Sequence, residues 1–272
     1  MNRSVYSNKK IARFKILFPV LGLLAIGSVF FAATESRPGR SPASSASSKA
    51  DVARILGKRQ VTTTRIEEND LTVDYSINQR LQETIEQTLK RGKVPYGAFV
   101  AMDARTGQVL AMVSHGMKGE NLGLRASYPA ASIFKIITAA AALESHKFTH
   151  DSMIPVLGSF HTLYKRNVLK GGGITPENSP RYARLISFED ALAKSVNSVF
   201  GKVGLFGVGT DGLRKIAARF QFGKEIPFEL PLEQDAVIVP GSEDQFGIAE
   251  SASGYTRHNT LNPLHGALIA AA

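Results

Sequence analysis

The segment IFKIITAAAALE, residues 133–144, restricts the fold more than any other stretch of the chain. Nine of its twelve residues are apolar, and they fall on every side of a helix rather than along one stripe. A helix apolar nearly all round is a buried one, so other elements must wrap it. Its one lysine, Lys135, is flanked by Phe134, Ile136 and Ile137, and Ser132 stands three residues earlier, where the helix begins.

Ile77, Leu81, Ile85 and Leu89 recur every four residues, the stripe of an amphipathic helix. Ser76 and Gln79 are expected to form its capping box, and Gly92 and Pro95 to end it. GAFVAMD and QVLAMVS predict two strands joined by Ala104-Arg105-Thr106-Gly107, with Gly107 at the left-handed position of a hairpin loop. Residues 151–182 carry few periodic signals and read as irregular. Ser187 with Asp190 predicts the cap of a short helix, FEDALAK. A further helix is expected over 212–220, then a segment bounded by Gly and Pro. A last helix begins near Pro263, with proline in its first turn. The order is helix, hairpin, then several helices, without βαβ alternation, which places the chain in the α+β class.

The charge is unevenly placed. The formal net charge is +10, but residues 1–60 hold 11 basic and 2 acidic residues, whereas residues 61–272 hold 22 and 21. A nucleic-acid binder carries its positive charge on the folded domain, so no nucleic-acid partner is expected. The chain has no cysteine, which excludes disulfides, a thiolate nucleophile and Cys-ligated clusters.

Residues 16–33 form an uncharged apolar run preceded by Arg3, Lys9, Lys10, Arg13 and Lys15. Eighteen helical residues span roughly 27 Å, near the thickness of a hydrocarbon core. The basic flank predicts a cytoplasmic N-terminus. The expected organisation is a cytoplasmic tail over 1–15, a single-pass inner-membrane anchor over 16–33, a Ser/Ala/Pro-rich flexible spacer over 34–60, and an extracytoplasmic (periplasmic) body over 61–272. A signal peptide cleaved near Ala32 and Ala33 is the alternative, and it delivers the body to the same compartment.

The chemistry centres on Ser132-Ile133-Phe134-Lys135. A spacing of three sets both side chains on one helix face. A desolvated Lys135 would have a lowered pKa and could take the serine proton. The same pattern occurs at Ser7 and Lys10, so spacing alone leaves open that Ser132 is a plain helix cap and Lys135 reaches solvent. Ser195-Val196-Asn197, after FEDALAK, is a second candidate, a hydroxyl and an amide able to face one cleft. Ser76-Ile77-Asn78 matches that pattern as well.

The order S-x-x-K then S-x-N resembles that of penicillin-binding proteins and serine β-lactamases. MDARTGQVLAMVS, YPAASIFKIITAAAALE, SFEDALAKSVNSVFGKVG and TLNPLHGALIAAA resemble, in turn, the hairpin, nucleophile helix, second-motif segment and later helix of penicillin-binding transpeptidases. The resemblance spans residues 71–272. It implies a fold of helices packed on an antiparallel sheet. It makes Ser132 the acylated nucleophile and Lys135 its general base. Ser195 becomes a proton relay, Asn197 a contact to the substrate amide, and the Ser132 backbone N–H half of the oxyanion hole. The implied partners are peptidoglycan stem peptides, β-lactams and a cell-wall synthesis complex, with no metal or organic cofactor.

Two features depart from that family's pattern. Ala131 stands where glycine is usual, and no Lys-Thr-Gly or Lys-Ser-Gly follows Asn197. Arg105-Thr106-Gly107 and Lys170-Gly171-Gly172 come too early in the chain to replace it. The chain is therefore expected to be C-terminally incomplete, with a bare sheet edge and reduced stability. Two alternatives accompany the transpeptidase reading: a catalytically dead, membrane-anchored scaffold of the same fold, and a β-lactamase or β-lactam sensor. The G-x-G-x-x-G at Gly207, Gly209 and Gly212 lacks the preceding strand a dinucleotide site needs, and reads as an interhelix turn. His146 and His150 read as surface histidines.

Overall fold

The computed structural model of the protein describes residues 60–272 other than 63–64, 69–70, 117–118 and 170–172. The basic tail, the apolar run, all of the spacer but its last residue, and the Lys170-Gly171-Gly172 tripeptide lie outside the described residues.

Among the described residues the first elements are strands β1 (Arg65–Glu68) and β2 (Leu71–Asp74), followed by helix α1 (Gln79–Arg91) and the hairpin of β3 (Gly97–Met102) and β4 (Val109–His115). Helix α1 is where its periodicity predicts it, but its cap is Asn78 rather than Ser76. The Asn78 side chain accepts from the Leu81 N–H at 3.0 Å, whereas the Ser76 hydroxyl donates to Val109 O at 2.7 Å. Ser76 thus ties the approach of α1 to β4. Gln82 is buried between them, and its amide bonds Val61 O at 2.8 Å, Met112 O at 3.0 Å and the Met112 N–H at 2.9 Å. A buried polar side chain is tolerated when its groups are satisfied in this way. The β3–β4 turn follows the sequence expectation: Gly107 has φ +76, and the Asp103 carboxylate accepts from the N–H groups of Thr106 and Arg105.

Strand β5 (Tyr128–Pro129) leads through a single 3₁₀ turn, Ala131–Ile133, into α2 (Phe134–Glu144). Then come β6 (Met153–Val156), α3 (Lys165–Leu169), β7 (Arg184–Ser187), α4 (Phe188–Ala193) and α5 (Asn197–Lys202). A π-helical segment, Val203–Val208, connects α5 to α6 (Gly209–Arg219). The chain continues with α7 (Gln245–Ser253), β8 (Thr260–Leu261) and α8 (Pro263–Ala271). The cap of α4 is Ser187, whose hydroxyl accepts from the Asp190 N–H at 3.1 Å, as the sequence predicts. Two expectations are corrected. The segment 151–182 is not irregular throughout, since β6 pairs with β7 and α3 is helical. Helix α7 was not expected, because its small residues give no apolar stripe.

The described strands form four two-stranded antiparallel sheets, β1–β2, β3–β4, β5–β8 and β6–β7. Helix α2 is wrapped, as an all-round apolar helix requires. Phe134, Ile137 and Ala141 pack with Leu213, Ile216, Ile248, Ala252 and Ile269 from α6, α7 and α8. Ala139 and Ala142 pack on the opposite side with Ile154, Phe188, Val199, Phe200 and Val203. A third core joins Val61, Val73, Val109 and Met112 to Leu264 of α8. Helix α2 thus stands between two cores, and its N-terminal end emerges where β5 and β8 pair.

Candidate active site

Ser132 lies in the tight turn that delivers the chain from β5 into α2. Ala130 N–H donates to Asn259 O at 2.7 Å, extending the β5–β8 pairing by one residue. Ala131 then turns with φ +47. Left-handed backbone costs a residue with a Cβ roughly 1–2 kcal/mol, so the position suits glycine, and Ala131 holds strain beside Ser132 that glycine would not. Gly254, with φ +68, ends α7 against the same turn. A Cβ there would lie 1.7 Å from Ala131 O, so only glycine fits.

Ser132 is exposed, whereas Lys135, the second residue of α2, is only 1% exposed. The Lys135 amine lies 2.8 Å from Ser132 Oγ. Burial pushes its pKa down to about 8, because desolvation penalises the ammonium. At pH 7 about a tenth of the amine is therefore unprotonated and able to accept the serine proton.

Ser195 occupies the turn between α4 and α5 with φ +51, and its hydroxyl donates to Ser132 Oγ at 2.9 Å. The structure thus brings Ser132, Lys135 and Ser195 to one oxygen, across 63 residues of sequence. Asn197, the first residue of α5, is buried nearby but is engaged elsewhere. Its side-chain amide donates to His161 O at 2.8 Å, and its backbone N–H to Phe160 O at 2.7 Å. Strained backbone at Ala131 and Ser195, on both sides of the shared oxygen, is the pattern of a preorganised site.

Several supporting residues carried no sequence signal. The Thr138 hydroxyl donates to Ala252 O at 2.7 Å and straps α2 to α7. Lys202, fully buried at the end of α5, donates to Pro155 O at 3.2 Å, and burial lowers its pKa to about 8. Asp235 is buried with His265: its carboxylate meets His265 Nδ1 and accepts from the Asn262 N–H at 2.6 Å, while His265 Nε2 lies 2.6 Å from Phe220 O. Helix α7 did carry a signal, with Asp244 capping its start and glycine just past its end.

The other sequence candidates fall outside this cluster. Arg105-Thr106-Gly107 is the β3–β4 turn. The glycines at 207, 209 and 212 lie where the π-helical segment passes into α6, with helix rather than strand before them. His146 and His150 are exposed, and His150 Nδ1 lies 3.0 Å from Asp151. Among the described residues no group of three His, Asp or Glu side chains is arranged to hold a metal ion.

Comparison with known proteins bears on this geometry. The family model described as the penicillin binding protein transpeptidase domain matches residues 97–272. Peptidoglycan D,D-transpeptidase PbpA of Mycobacterium tuberculosis (strain H37Rv) is 29% identical over 233 residues, covering 73% of this chain and 45% of that protein. Penicillin-binding protein PbpB of Mycolicibacterium smegmatis is 25% identical over 193 residues, covering 62% and 27%. Among solved structures, the penicillin G acyl-enzyme complex of M. tuberculosis penicillin-binding protein A superposes with a TM-score of 0.57 at 26% identity, covering 73% of this chain and 51% of that one. The chain thus spans less than half the length of these curated relatives.

Proposed function

The chain belongs to the penicillin-binding protein transpeptidase family, and from that premise we propose that its body acts in peptidoglycan crosslinking through an acyl-serine intermediate on Ser132. The observation that carries this reading is the 2.8 Å contact between a buried lysine amine and an exposed serine hydroxyl. Neutral Lys135 takes the Ser132 proton as Oγ attacks the carbonyl of the penultimate D-alanine in a stem peptide. The tetrahedral oxygen is met by the Ser132 backbone N–H. The C–N bond then breaks, and the proton passes through Lys135 and Ser195 to the departing amine of the terminal D-alanine. An amine of a neighbouring stem attacks the ester, gives up a proton by the same route, and frees Ser132 as the crosslink forms. Asn197 is proposed to contact the substrate amide, which requires its side chain to exchange its bond to His161 O. No metal or organic cofactor enters this scheme.

β-Lactams would acylate the same serine; the M. tuberculosis protein forms an acyl-enzyme complex with penicillin G. A fluorescent penicillin tests the reading: covalent labelling of the full chain, abolished in Ser132→Ala, is the expected outcome. Absence of labelling would favour a scaffold of the same fold. Steady hydrolysis of the label would favour a β-lactamase.

Residues 16–33 are proposed as the anchor that fixes this body outside the inner membrane, with the N-terminus in the cytoplasm and a cell-wall synthesis complex as its setting. Among the described residues no helix is long and apolar enough to cross a membrane. Carbonate extraction of membranes holding the full chain tests the anchor.

A further inference from the structure

Residues 231–240, on the way from α6 to α7, form neither helix nor strand. They are fastened all the same, mostly by side chains of β8 and its neighbours. Asn262 Nδ2 donates to Glu233 O at 3.1 Å, the Thr260 N–H donates to Ala236 O at 2.9 Å, and Asn259 Oδ1 accepts from the Ile238 N–H at 2.7 Å. Strand β8 is thus bonded both to this segment and to β5. Asn259 serves both, since its backbone O accepts from the N–H of Ala130, two residues before Ser132.

A buried pair pins the segment to α8. The side chains of Asp235 and His265 are 2% and 1% exposed. Asp235 Oδ1 accepts from the backbone N–H of Asn262 at 2.6 Å and from its side-chain amide at 3.0 Å. Asp235 Oδ2 meets His265 Nδ1, while His265 Nε2 lies 2.6 Å from the carbonyl oxygen of Phe220, the residue that ends α6. The imidazole also packs on Phe222, with 4.9 Å between centroids, and Phe222 meets Phe134, the neighbour of Lys135, edge-on at 5.5 Å. The pair therefore reaches the nucleophile turn by two routes, through the 235–238 backbone and β8 to Ala130, and through Phe222 to Phe134.

Both ring nitrogens face an oxygen. A neutral imidazole has one donor nitrogen and one acceptor, so with Nε2 donating to Phe220 O a further proton has to lie between Nδ1 and Oδ2. The end of a helix favours a cation, and an acid group whose other oxygen already takes two N–H donors is suited to the charged form. That proton belongs on the ring.

We propose that Asp235 and His265 are positioning residues for Ser132, with His265 an imidazolium that locks α6, the 233–238 segment and α8 together and so holds the nucleophile turn in place. The positioning role rests on the acyl-serine reading above; the charge on His265 does not.

Two measurements test it. In the full chain in detergent, with histidine rings labelled by ¹⁵N and the His265 signals assigned from their loss in His265→Gln, NMR is expected to show a proton on both His265 nitrogens. A bare Nδ1 or Nε2 overturns the proposal, and this measurement holds even where a variant fails to fold. Acylation by benzylpenicillin is then followed by mass spectrometry of the intact full chain in Asp235→Asn, His265→Gln and the double variant, with urea melts showing which are folded. Each single variant strands one partner in the core, and is expected to slow acylation about 10- to 100-fold through a misplaced nucleophile. The double variant, which exchanges the ion pair for a neutral amide pair, should recover to within about 3-fold of wild type. Folded single variants that acylate at the wild-type rate, or a folded double variant slower than both, overturn the positioning role. A wild-type chain that is not acylated overturns the acyl-serine reading, and leaves NMR to judge the charge on His265 separately.

Discussion

Lys135 joins two demands that pull against each other at a single residue. It must be buried for its amine to lose a proton near neutrality, and burial of a charged amine costs free energy. The arrangement around Ser132 resolves this by leaving the serine exposed and the lysine one helical turn below it, so only the amine is taken from water. Because burial holds the amine at about 8, acylation should rise with pH as the neutral fraction grows, then level off above that value. Rates of β-lactam acylation from pH 6 to 9.5 check this, and a profile flat across pH 8 would remove Lys135 as the base. Lys135→Arg keeps the charge but cannot lose it, and should lower the rate by at least about 100-fold, the usual contribution of a general base.

Among the elements, α7 governs the site without contributing a reacting group. Its last turn receives Thr138 from α2, and Gly254 beyond it presses on Ala131. It also meets the π-helical segment, where a Cβ at Gly204 would lie 2.1 Å from the Cβ of Ala252, which is wholly buried. Replacing a helical glycine by alanine gains roughly 1 kcal/mol of propensity. Overpacking a rigid contact of this kind costs about 1–3 kcal/mol. Gly204→Ala should therefore destabilise the chain, against its propensity, and a urea melt gives the sign directly. A stabilised variant would show that α7 and the π-helical segment can separate freely.

The molecule as a whole carries a second buried amine. Lys135 faces the core of α2, α6, α7 and α8 at its rim, and Lys202 lies beside the core of β6, β7 and α5. Both are held to about 8 against an ordinary 10.5. Below pH 8 the folded and unfolded chains both bind these protons, and the folded state bears the full cost of burying charge. Between pH 8 and 10.5 the unfolded chain binds more protons than the folded one, so stability rises with pH across that window. The urea midpoint is expected to be higher at pH 9.5 than at pH 7.5, and Lys202→Met should flatten part of that rise. Equal slopes in wild type and Lys202→Met would exclude Lys202 as a contributor.

Much of this was legible in sequence because it is local. An apolar run without a polar face has to be buried, a four-residue recurrence has to be a helix, and Gly107 or Ser187 acts within a few residues of itself. Ser132, Lys135, Ser195 and Asn197 could be named through the resemblance that the order of their motifs bears to penicillin-binding transpeptidases, since spacing alone left other readings open. What stayed hidden depends on contacts between distant segments. Ser76 bonds β4 and leaves the cap to Asn78. Strand β6 exists only by pairing with β7. Helix α7 is held by small residues whose value lies in close approach, not in periodicity. The sequence alone determined that a lysine follows a serine by three residues at the start of one buried helix. Only the tertiary structure decided that Ser195 meets the same oxygen while Asn197 turns to His161, because hydrogen-bond partners 36 to 63 residues apart are fixed by packing and have no local signature.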